Sequence, residues 1–200
     1  MNAKIDISAM QIYTDRLLMR PWQEEDLDDF FNFAHVPGVE EMSGCLHHKS
    51  IKDTEIRLNS FIQARNCFAL YHKEDKKLIG YLELHGSWAA KDPRFAHLNV
   101  TELGTVVAKD YWGYGIAAEA AKAGIHHCFT HLNIDAVTVC HFLENIQSRR
   151  VIEKCGFQSM QEDKFYSKNM DKKFMERQYI LFKEDYVKTL HERIIPKPHL

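Results

Sequence analysis

The sequence has neither a long apolar run nor an excess of charge of one sign. No apolar stretch approaches the ~20 residues that a membrane-spanning helix needs, and the first residues, MNAKIDISAM, lack the basic-then-apolar order of a signal peptide. The formal net charge is -2 and acidic and basic residues are interleaved, so no basic surface of the kind that binds nucleic acid is expected. We therefore expect a cytoplasmic protein that binds neither a membrane nor a nucleic acid.

Cysteines in a recognisable pattern are also absent. Their number is odd, their spacing is wide and no C-x-x-C occurs, which argues against a disulfide framework and a zinc knuckle. His127 and His131 are four residues apart, but the glutamate of an H-E-x-x-H motif is missing. We expect no metal site, and mostly buried, reduced thiols at all five positions: Cys45, Cys67, Cys128, Cys140 and Cys155.

The composition is that of an ordinary globular domain. The chain has 200 residues, of which 45% are hydrophobic and 27% charged. No repeat, low-complexity stretch or linker divides it. We expect a single domain spanning residues 1–200, with its core at about 11–183, and the sequence leaves open whether two copies form a homodimer.

Hydrophobic periodicity predicts a mixed α/β protein. Only the strand–helix–strand unit within residues 98–140 requires a parallel crossover. The fold class is therefore a mixed, mostly antiparallel sheet of about seven strands with helices on both faces. Strands are predicted at 11–22, 67–72, 77–85, 98–109, 134–142, 157–167 and 173–182. Helices are predicted at 23–36, from near Asp53 to 66, at 115–132 and at 144–155, with a short polar helix after 182.

The stretch YWGYGIAAEA, residues 111–120, has two glycines between a predicted strand and a predicted helix. A helix N-terminus exposes unpaired N–H groups and the positive end of the helix dipole, so this loop is suited to bind a phosphate. The alternative is a tight turn before a small-residue helix that packs closely on the sheet. The stretch matches neither the Walker loop nor the Rossmann glycine pattern. Gly104, inside the preceding strand, predicts a bulge or the close approach of a ligand.

Four motifs in sequence order resemble the GCN5-related N-acetyltransferase family, and in particular the branch that includes the ribosomal-protein N-terminal acetyltransferases. The first is TDRLLMRP at 14–21, which resembles T-x-R-L-x-L-R-P, and the second is the strand Leu103-Gly104-Thr105. The third is WGYGIAAEA at 112–120. The fourth consists of Asn145, Ser148, Lys154, Gly156 and Phe157. The resemblance covers about residues 11–183.

This resemblance implies the acyl-CoA N-acyltransferase fold of that family and a site for acetyl-coenzyme A. The pantetheine arm of the coenzyme would run beside a bulged strand at Val106 and Val107, where that strand splays from the next parallel one. A backbone amide of Val106 or Val107 would stabilise the oxyanion, and Asn145 would contact the coenzyme. The pyrophosphate would lie on the amides of Trp112, Gly113, Tyr114, Gly115, Ile116 and Ala117.

Acetyl transfer to an amine also needs a base, because an alkyl amine is protonated at neutral pH. Glu102 is the candidate base and Glu83 the alternative, although either could simply be a solvated strand acid. Many relatives have a tyrosine as general acid where this sequence has Ile152. Ser148 is therefore the candidate proton donor to the coenzyme thiolate, against the alternative of a first-turn serine.

Two functions follow from the resemblance. The first is an N-acetyltransferase that transfers the acetyl group of acetyl-CoA to a primary amine by direct attack in a ternary complex. The acceptor would be a protein N-terminus, a polyamine or an aminoglycoside. The alternative is a non-catalytic acyl-CoA binding or sensing module. Acidic residues near the first helix could attract a cationic acceptor, although a solvated helix face explains most of them: Glu24, Glu25, Asp26, Asp28, Asp29, Glu40 and Glu41.

Overall fold

A computed structural model describes residues 1–194 of the chain and shows eight strands and five helices within that range. The strands are β1 (Ile12–Tyr13), β2 (Leu17–Pro21), β3 (Cys67–His72), β4 (Lys77–His85), β5 (Val100–Val107), β6 (Ala136–Phe142), β7 (Gln158–Ser167) and β8 (Lys172–Phe182). The helices are α1 (Leu27–Ala34), α2 (Ile51–Ala64), α3 (Ile116–Thr130), α4 (Ile146–Lys154) and α5 (Lys183–Ile194).

All eight strands form one sheet in the order β1-β2-β3-β4-β5-β6-β8-β7. Every neighbouring pair is antiparallel except β5 and β6, which are parallel and are connected through α3. The predicted mixed, mostly antiparallel sheet is confirmed. It has one strand more than expected, because a turn over residues 14–16 divides the predicted strand 11–22 into β1 and β2.

The parallel pair β5–β6 is joined over a short distance only. Three residue pairs connect the strands: Val100↔Ala136, Thr101↔Val137 and Glu102↔Thr138. Beyond them β5 continues to Val107 and β6 continues to Phe142 without further pairing to each other. The two strands therefore diverge in the middle of the sheet and leave an opening between them.

The predicted bulge at Gly104 is wrong. Strand β5 pairs with β4 residue for residue, from Gly80↔Val107 to His85↔Glu102, with Gly104 opposite Glu83. The register shifts lie elsewhere, between Ala69 and Tyr71 in the β3–β4 pair and between Ser159 and Gln161 in the β7–β8 pair. The opening beside β5 begins where β5 and β6 stop pairing, and no extra residue in β5 is needed to make it.

Helices cover both faces of the sheet, as expected. Helices α1 and α2 pack on one face around an aromatic group in which the Trp22 ring centroid lies 4.7 Å from that of Phe30 and 5.3 Å from that of Phe61. Helices α3 and α4 pack on the other face. The small face of α3 allows a close approach, because a Cβ added at Gly124 would lie 2.9 Å from Cδ1 of Leu82.

The chain after β8 continues as the polar helix α5, and the predicted tail beyond it, residues 195–200, lies outside the described residues. No helix within residues 1–194 is both long enough and apolar enough to cross a membrane. All five cysteines are free thiols.

Candidate active site

The opening between β5 and β6 forms a cleft with a volume of about 560 Å³. On one side the cleft reaches the first turns of α3 and α4. On the other side it reaches the segment before α2 and α2 itself. Every site residue predicted from the sequence lines this cleft except Tyr114, whose side chain is exposed. The fold therefore brings together candidate residues that are up to 65 positions apart, from Glu83 to Ser148.

The loop before α3 presents a row of free backbone amides. Gly113 and Gly115 have φ of 85° and 81°, a conformation that glycine adopts without strain. Within residues 1–194, no backbone or side-chain acceptor takes the amides of residues 113–118, and the first helical amide to be bonded is that of Glu119, which donates to the Gly115 carbonyl at 3.0 Å. The last three of these N–H groups belong to the first turn of α3, so the stretch is suited to bind an anion.

Trp112 does not contribute its amide to this row, in contrast to the sequence interpretation. The Trp112 amide donates to the Lys109 carbonyl at 3.1 Å, because residues 109–111 form a single 3₁₀ turn. Its indole Nε1 donates to the Val107 carbonyl at 2.7 Å. Trp112 therefore fixes the loop to the end of β5, and the free amides begin one residue later, at Gly113.

Side-chain hydrogen bonds connect the loop and the start of α3 to residues near the N-terminus. Glu119 in α3 accepts hydrogen bonds from the Thr14 hydroxyl at 2.5 Å, from the Arg16 amide at 2.9 Å and from the Arg16 Nε at 2.7 Å. Arg16 also donates to the Tyr114 carbonyl at 2.8 Å. Burial raises the pKa of Glu119, but the hydrogen bonds from Thr14 and Arg16 outweigh it and hold the pKa below its ordinary value. The first and third sequence motifs thus meet as one structural unit.

The edge of β5 decides which amide faces the opening. Ala108 donates to the Ile79 carbonyl at 2.7 Å, so 79 and 108 are a hydrogen-bonded pair. Bonded and non-bonded pairs alternate along an antiparallel ladder, which directs the amide of Val106 to β4 and that of Val107 to the opening. Of the two candidates for contact with the coenzyme and the oxyanion, Val107 therefore has the suitable backbone direction.

Asn145 and Ser148 lie in the first turn of α4 at the edge of the cleft. The Asn145 side chain caps the helix, since its Oδ1 accepts from the Ser148 amide at 3.0 Å, and its Nδ2 donates to the Met42 carbonyl at 3.4 Å. Ile152, where many relatives have a tyrosine, is buried in the core. Among these three positions, only Ser148 offers a side-chain hydroxyl to the cleft.

Three carboxylates from three strands meet on the face of the sheet that α1 and α2 cover. Glu83 in β4, Glu102 in β5 and Glu176 in β8 all line the cleft. Glu83 is 3.3 Å from the Arg57 guanidinium, and Glu102 accepts from the Thr138 hydroxyl at 3.0 Å. Burial raises the pKa of Glu176, and the charge of Glu102 raises it further. We call this part of the cleft the acidic face.

Cys140 lies on the acidic face but is unsuited to act as a nucleophile. Burial raises the pKa of its thiol far above the ordinary value, and the charges of Glu102 and Glu176 act in the same direction. A thiol with a raised pKa contains little thiolate, which is the nucleophilic form. Cys140 is therefore poorly suited to carry a transferred group.

A buried carboxylate was missed by the sequence analysis. Glu40 was grouped with the acids of a solvated helix face, yet it is only 2% exposed and accepts a hydrogen bond from the Tyr81 hydroxyl at 2.8 Å. Burial raises the pKa of Glu40 to about 7, against the opposing effects of the Tyr81 hydrogen bond and the Arg57 charge. Periodicity could not reveal this pair, because its members are 41 residues apart and meet only through packing.

Other acids of that group are engaged elsewhere and cannot be counted as a surface that attracts an acceptor. Asp26 binds Arg20 through both carboxylate oxygens, at 2.6 and 2.8 Å. Asp29 accepts from the Leu78 amide at 2.9 Å. The negative charge that faces the cleft therefore comes from strands rather than from the first helix.

The histidines that the sequence placed four apart have no third partner for a metal within residues 1–194. The rings of His127 and His131 stack with centroids 4.6 Å apart, and His127 Nε2 lies 2.9 Å from the Met10 sulfur. No group of three or more histidine, cysteine, aspartate or glutamate side chains suited to a metal ion occurs among the residues that the structure describes.

Similar proteins share both sequence and fold with this chain. An uncharacterised N-acetyltransferase of Bacillus subtilis (strain 168), YoaA, is 25% identical over 150 residues, which cover 72% of this chain and 81% of the relative. The crystal structure of a GNAT-family acetyltransferase from Bacillus anthracis has a TM-score of 0.75 at 22% identity, and the alignment covers 88% of this chain and 99% of that one.

A second structure adds information about what a protein of this fold can bind. A spermidine N-acetyltransferase from Vibrio cholerae, solved in complex with CoA and spermine, has a TM-score of 0.69 at 18% identity, over 87% of this chain and 99% of that one. At these identities the two structures show the fold alone. The family model described as acetyltransferase (GNAT) domain matches residues 16–158, which is more than half of the chain, and this protein therefore belongs to the GNAT acetyltransferase family.

Proposed function

We propose that this protein is an N-acetyltransferase that transfers the acetyl group of acetyl-CoA to a primary amine by direct attack in a ternary complex. The observation that carries the proposal is the single cleft that joins the row of free amides at residues 113–118 to the acidic face. The first suits an anionic donor and the second a cationic acceptor. Their meeting between the diverging strands gives donor and acceptor one place to react.

The loop supports acetyl-CoA as the donor. The amides of Gly113, Tyr114, Gly115, Ile116 and Ala117 would bind its pyrophosphate, with Trp112 holding the loop in place through its indole. The pantetheine arm would lie in the opening beside Val107 and pair with the free edge of β5 as a strand would. Asn145 would border the coenzyme from the first turn of α4.

The acidic face supports a cationic amine as the acceptor. Three carboxylates are presented there, and one of them, Glu83, lies 3.3 Å from the guanidinium of Arg57. The other arginine and lysine side chains that line the cleft, Arg150 and Lys154, belong to α4. Among the three acceptor classes, a polyamine fits best, because it carries further ammonium groups that Glu176 can attract. The neighbouring spermidine N-acetyltransferase, whose structure contains spermine, gives a precedent for this class in the same fold.

The residues that line the cleft are suited to the required steps. Glu102 would take a proton from the ammonium form of the acceptor, so that the nitrogen can attack. The Val107 amide would donate to the oxygen that becomes negative in the transition state. Ser148 would give its hydroxyl proton to the departing thiolate. The backbone donor is preorganised by the β4–β5 ladder and needs no rearrangement to act.

An acceptor screen tests this function. Release of free coenzyme thiol from acetyl-CoA would be followed with spermidine, an aminoglycoside and a short peptide with a free N-terminus. We expect amine-dependent thiol release, fastest with spermidine. Tight binding of acetyl-CoA without release for any amine would instead support the alternative function, a non-catalytic acyl-CoA binding or sensing module.

The role of Glu102 has its own test. Glu102→Gln keeps the size of the side chain and its hydrogen bond with Thr138, but it removes the base, so kcat/KM for the amine should fall by about 100-fold. The pH profile of kcat/KM should change with it. Glu74→Gln, in the exposed turn before β4, is the matched control and should leave both unchanged. A pH profile of Glu102→Gln identical to that of the wild type would exclude the role.

A further inference from the structure

Tyr81 and Glu40 form a buried pair in the wall between two cavities. Tyr81 lines the cleft, whereas Glu40 lines a second cavity of about 410 Å³, and both Cys45 and Arg57 line the two cavities. The Tyr81 hydroxyl donates to Glu40 Oε2 at 2.8 Å, and the two residues are 4% and 2% exposed. The pair therefore connects the cleft to the second cavity through one hydrogen bond.

The contacts of Glu40 do not fully compensate for the burial of its carboxylate. A buried carboxylate lowers stability unless cations or several donors satisfy it. Glu40 Oε1 has no hydrogen-bond partner in the part of the chain that the structure describes. Arg57, the nearby cation, is 3.3 Å from Glu83 and has no hydrogen bond to Glu40 among residues 1–194. An incompletely satisfied acid in the wall of a cleft is typical of a group kept for its chemistry.

The position of Tyr81 relates the pair to the reacting atoms. Tyr81 is the direct cross-strand partner of Val106. Its side chain therefore lies on the acidic face beside the residue that precedes Val107, the proposed oxyanion donor. Glu83 follows two residues later on the same face. Tyr81 and Glu102 thus line the cleft from two neighbouring strands, β4 and β5.

The proposed reaction removes two protons from the acceptor nitrogen in each turnover. The ammonium loses the first before attack, and the nitrogen of the tetrahedral adduct loses the second after the C–N bond has formed. One carboxylate holds one proton at a time, so Glu102 cannot keep the first and accept the second. A second acceptor near the same nitrogen removes this conflict.

We propose, on the basis of the proposed function, that Tyr81 and Glu40 form a proton relay that accepts the second proton of the acceptor amine. The adduct nitrogen gives its proton to Tyr81 Oη while the Tyr81 hydroxyl proton passes to Glu40 Oε2. The C–S bond breaks with its electron pair on sulfur, and the thiolate takes the proton of Ser148. Glu40 lines the second cavity, through which the proton would leave, and Ser148 is reprotonated from solvent.

The surroundings of Glu40 set the pH at which the relay works. Tyr81 and Glu83 face it from β4 and Arg57 from α2, while Glu41 and Cys45 lie in its own segment. His47 is paired with Glu41, and His48 bonds to Thr54. Because burial raises the pKa of Glu40 to about 7, the carboxyl is protonated below that pH and cannot accept. Activity that depends on the relay should rise with pH through about 7 and then level off.

Kinetics of conservative variants test the relay. Tyr81→Phe removes only the hydroxyl, and Glu40→Gln removes the proton acceptor while it keeps the shape. Each should lower kcat/KM for spermidine, or for the fastest amine of the screen, by about 100-fold without changing the dissociation constant of acetyl-CoA. The double variant should be no slower than either single variant, because both changes interrupt one route. The rise of kcat/KM near pH 7 should disappear in Glu40→Gln and persist in Glu102→Gln.

Matched controls and contrary results complete the test. Tyr13→Phe, on the exposed edge of the sheet, and Glu74→Gln should behave as the wild type does. Wild-type kcat/KM in Tyr81→Phe would overturn the relay, and so would a rise near pH 7 that survives in Glu40→Gln. If Glu40→Gln does not fold, Tyr81→Phe decides alone. A wild-type protein that acetylates no amine would remove the proposed function and the relay together, whereas active wild type with unaffected variants would remove only the relay.

Discussion

Replacement of Gly115 by glutamate should raise the dissociation constant for acetyl-CoA by about 1,000-fold, which corresponds to about 4 kcal/mol. The φ of 81° at this position costs any other residue about 1–2 kcal/mol. The new carboxylate would also lie at the start of α3, where it competes with the phosphates for the free amides. Loss of two hydrogen bonds to a charged group costs about 3–6 kcal/mol. The loss of two of the loop's hydrogen bonds to the phosphates is therefore large enough to account for the expected effect.

Calorimetric titration of the purified protein with acetyl-CoA measures this effect. Gly38→Glu is the matched control, since Gly38 also has a positive φ, of 91°, and no atom lies within 4 Å of an added Cβ. The control has the same change of charge and a similar backbone cost outside the loop, and it should keep the wild-type affinity. If Gly115→Glu binds acetyl-CoA within about tenfold of the wild type, the loop does not hold the pyrophosphate.

Replacement of Gly80 by alanine should destabilise the fold by about 3 kcal/mol, the upper end of the usual cost of overpacking. A Cβ at this position would lie 2.2 Å from the Val106 carbonyl oxygen and 3.0 Å from the Val107 Cα. Both are backbone atoms of β5, so the conflict cannot be relieved by a change of rotamer. The strand itself must move, and with it the Val107 amide, so acetyl transfer should fall together with stability.

Thermal unfolding measures the first effect, and a fall in Tm of roughly 6 to 12 °C is expected for a chain of this length. Gly104→Ala is the control in the neighbouring strand, because the nearest atom to its added Cβ is His85 Nε2 at 3.5 Å, an ordinary contact. The control should keep the wild-type stability within about 1 kcal/mol. Equal Tm values for the two variants would mean that β5 has room to shift.

Local sequence features predicted most of the elements. Strands β3 and β4 begin and end at the expected residues, because turn residues bound short apolar runs on both sides. The first helix is shorter than expected, since residues 24–26 form a 3₁₀ turn before α1 begins at Leu27. The short β1 was not separated from β2 because no glycine or proline marks the turn between them.

The two halves of the site differed in how far the sequence could predict them. The loop of residues 113–118 is a local feature, so its glycines and the small residues after them pointed to it directly. The acidic face depends on register, because only the pairing of β4, β5, β6 and β8 brings Glu83, Glu102 and Glu176 together. Burial of Glu40 depends on the packing of distant elements, which no periodicity in its own segment reports.

The short junction between β5 and β6 divides the sheet into two halves. One consists of β1 to β5 and the other of β6, β8 and β7, and only three residue pairs join them. A ligand that lies in the opening would contact both halves of the sheet and bridge them where the strands do not pair. Because such a ligand binds the folded protein and not the unfolded chain, the coenzyme would raise the free energy of unfolding by mass action. Amide hydrogens of β5 and β6 next to the opening should accordingly exchange more slowly in the coenzyme complex than in the free protein.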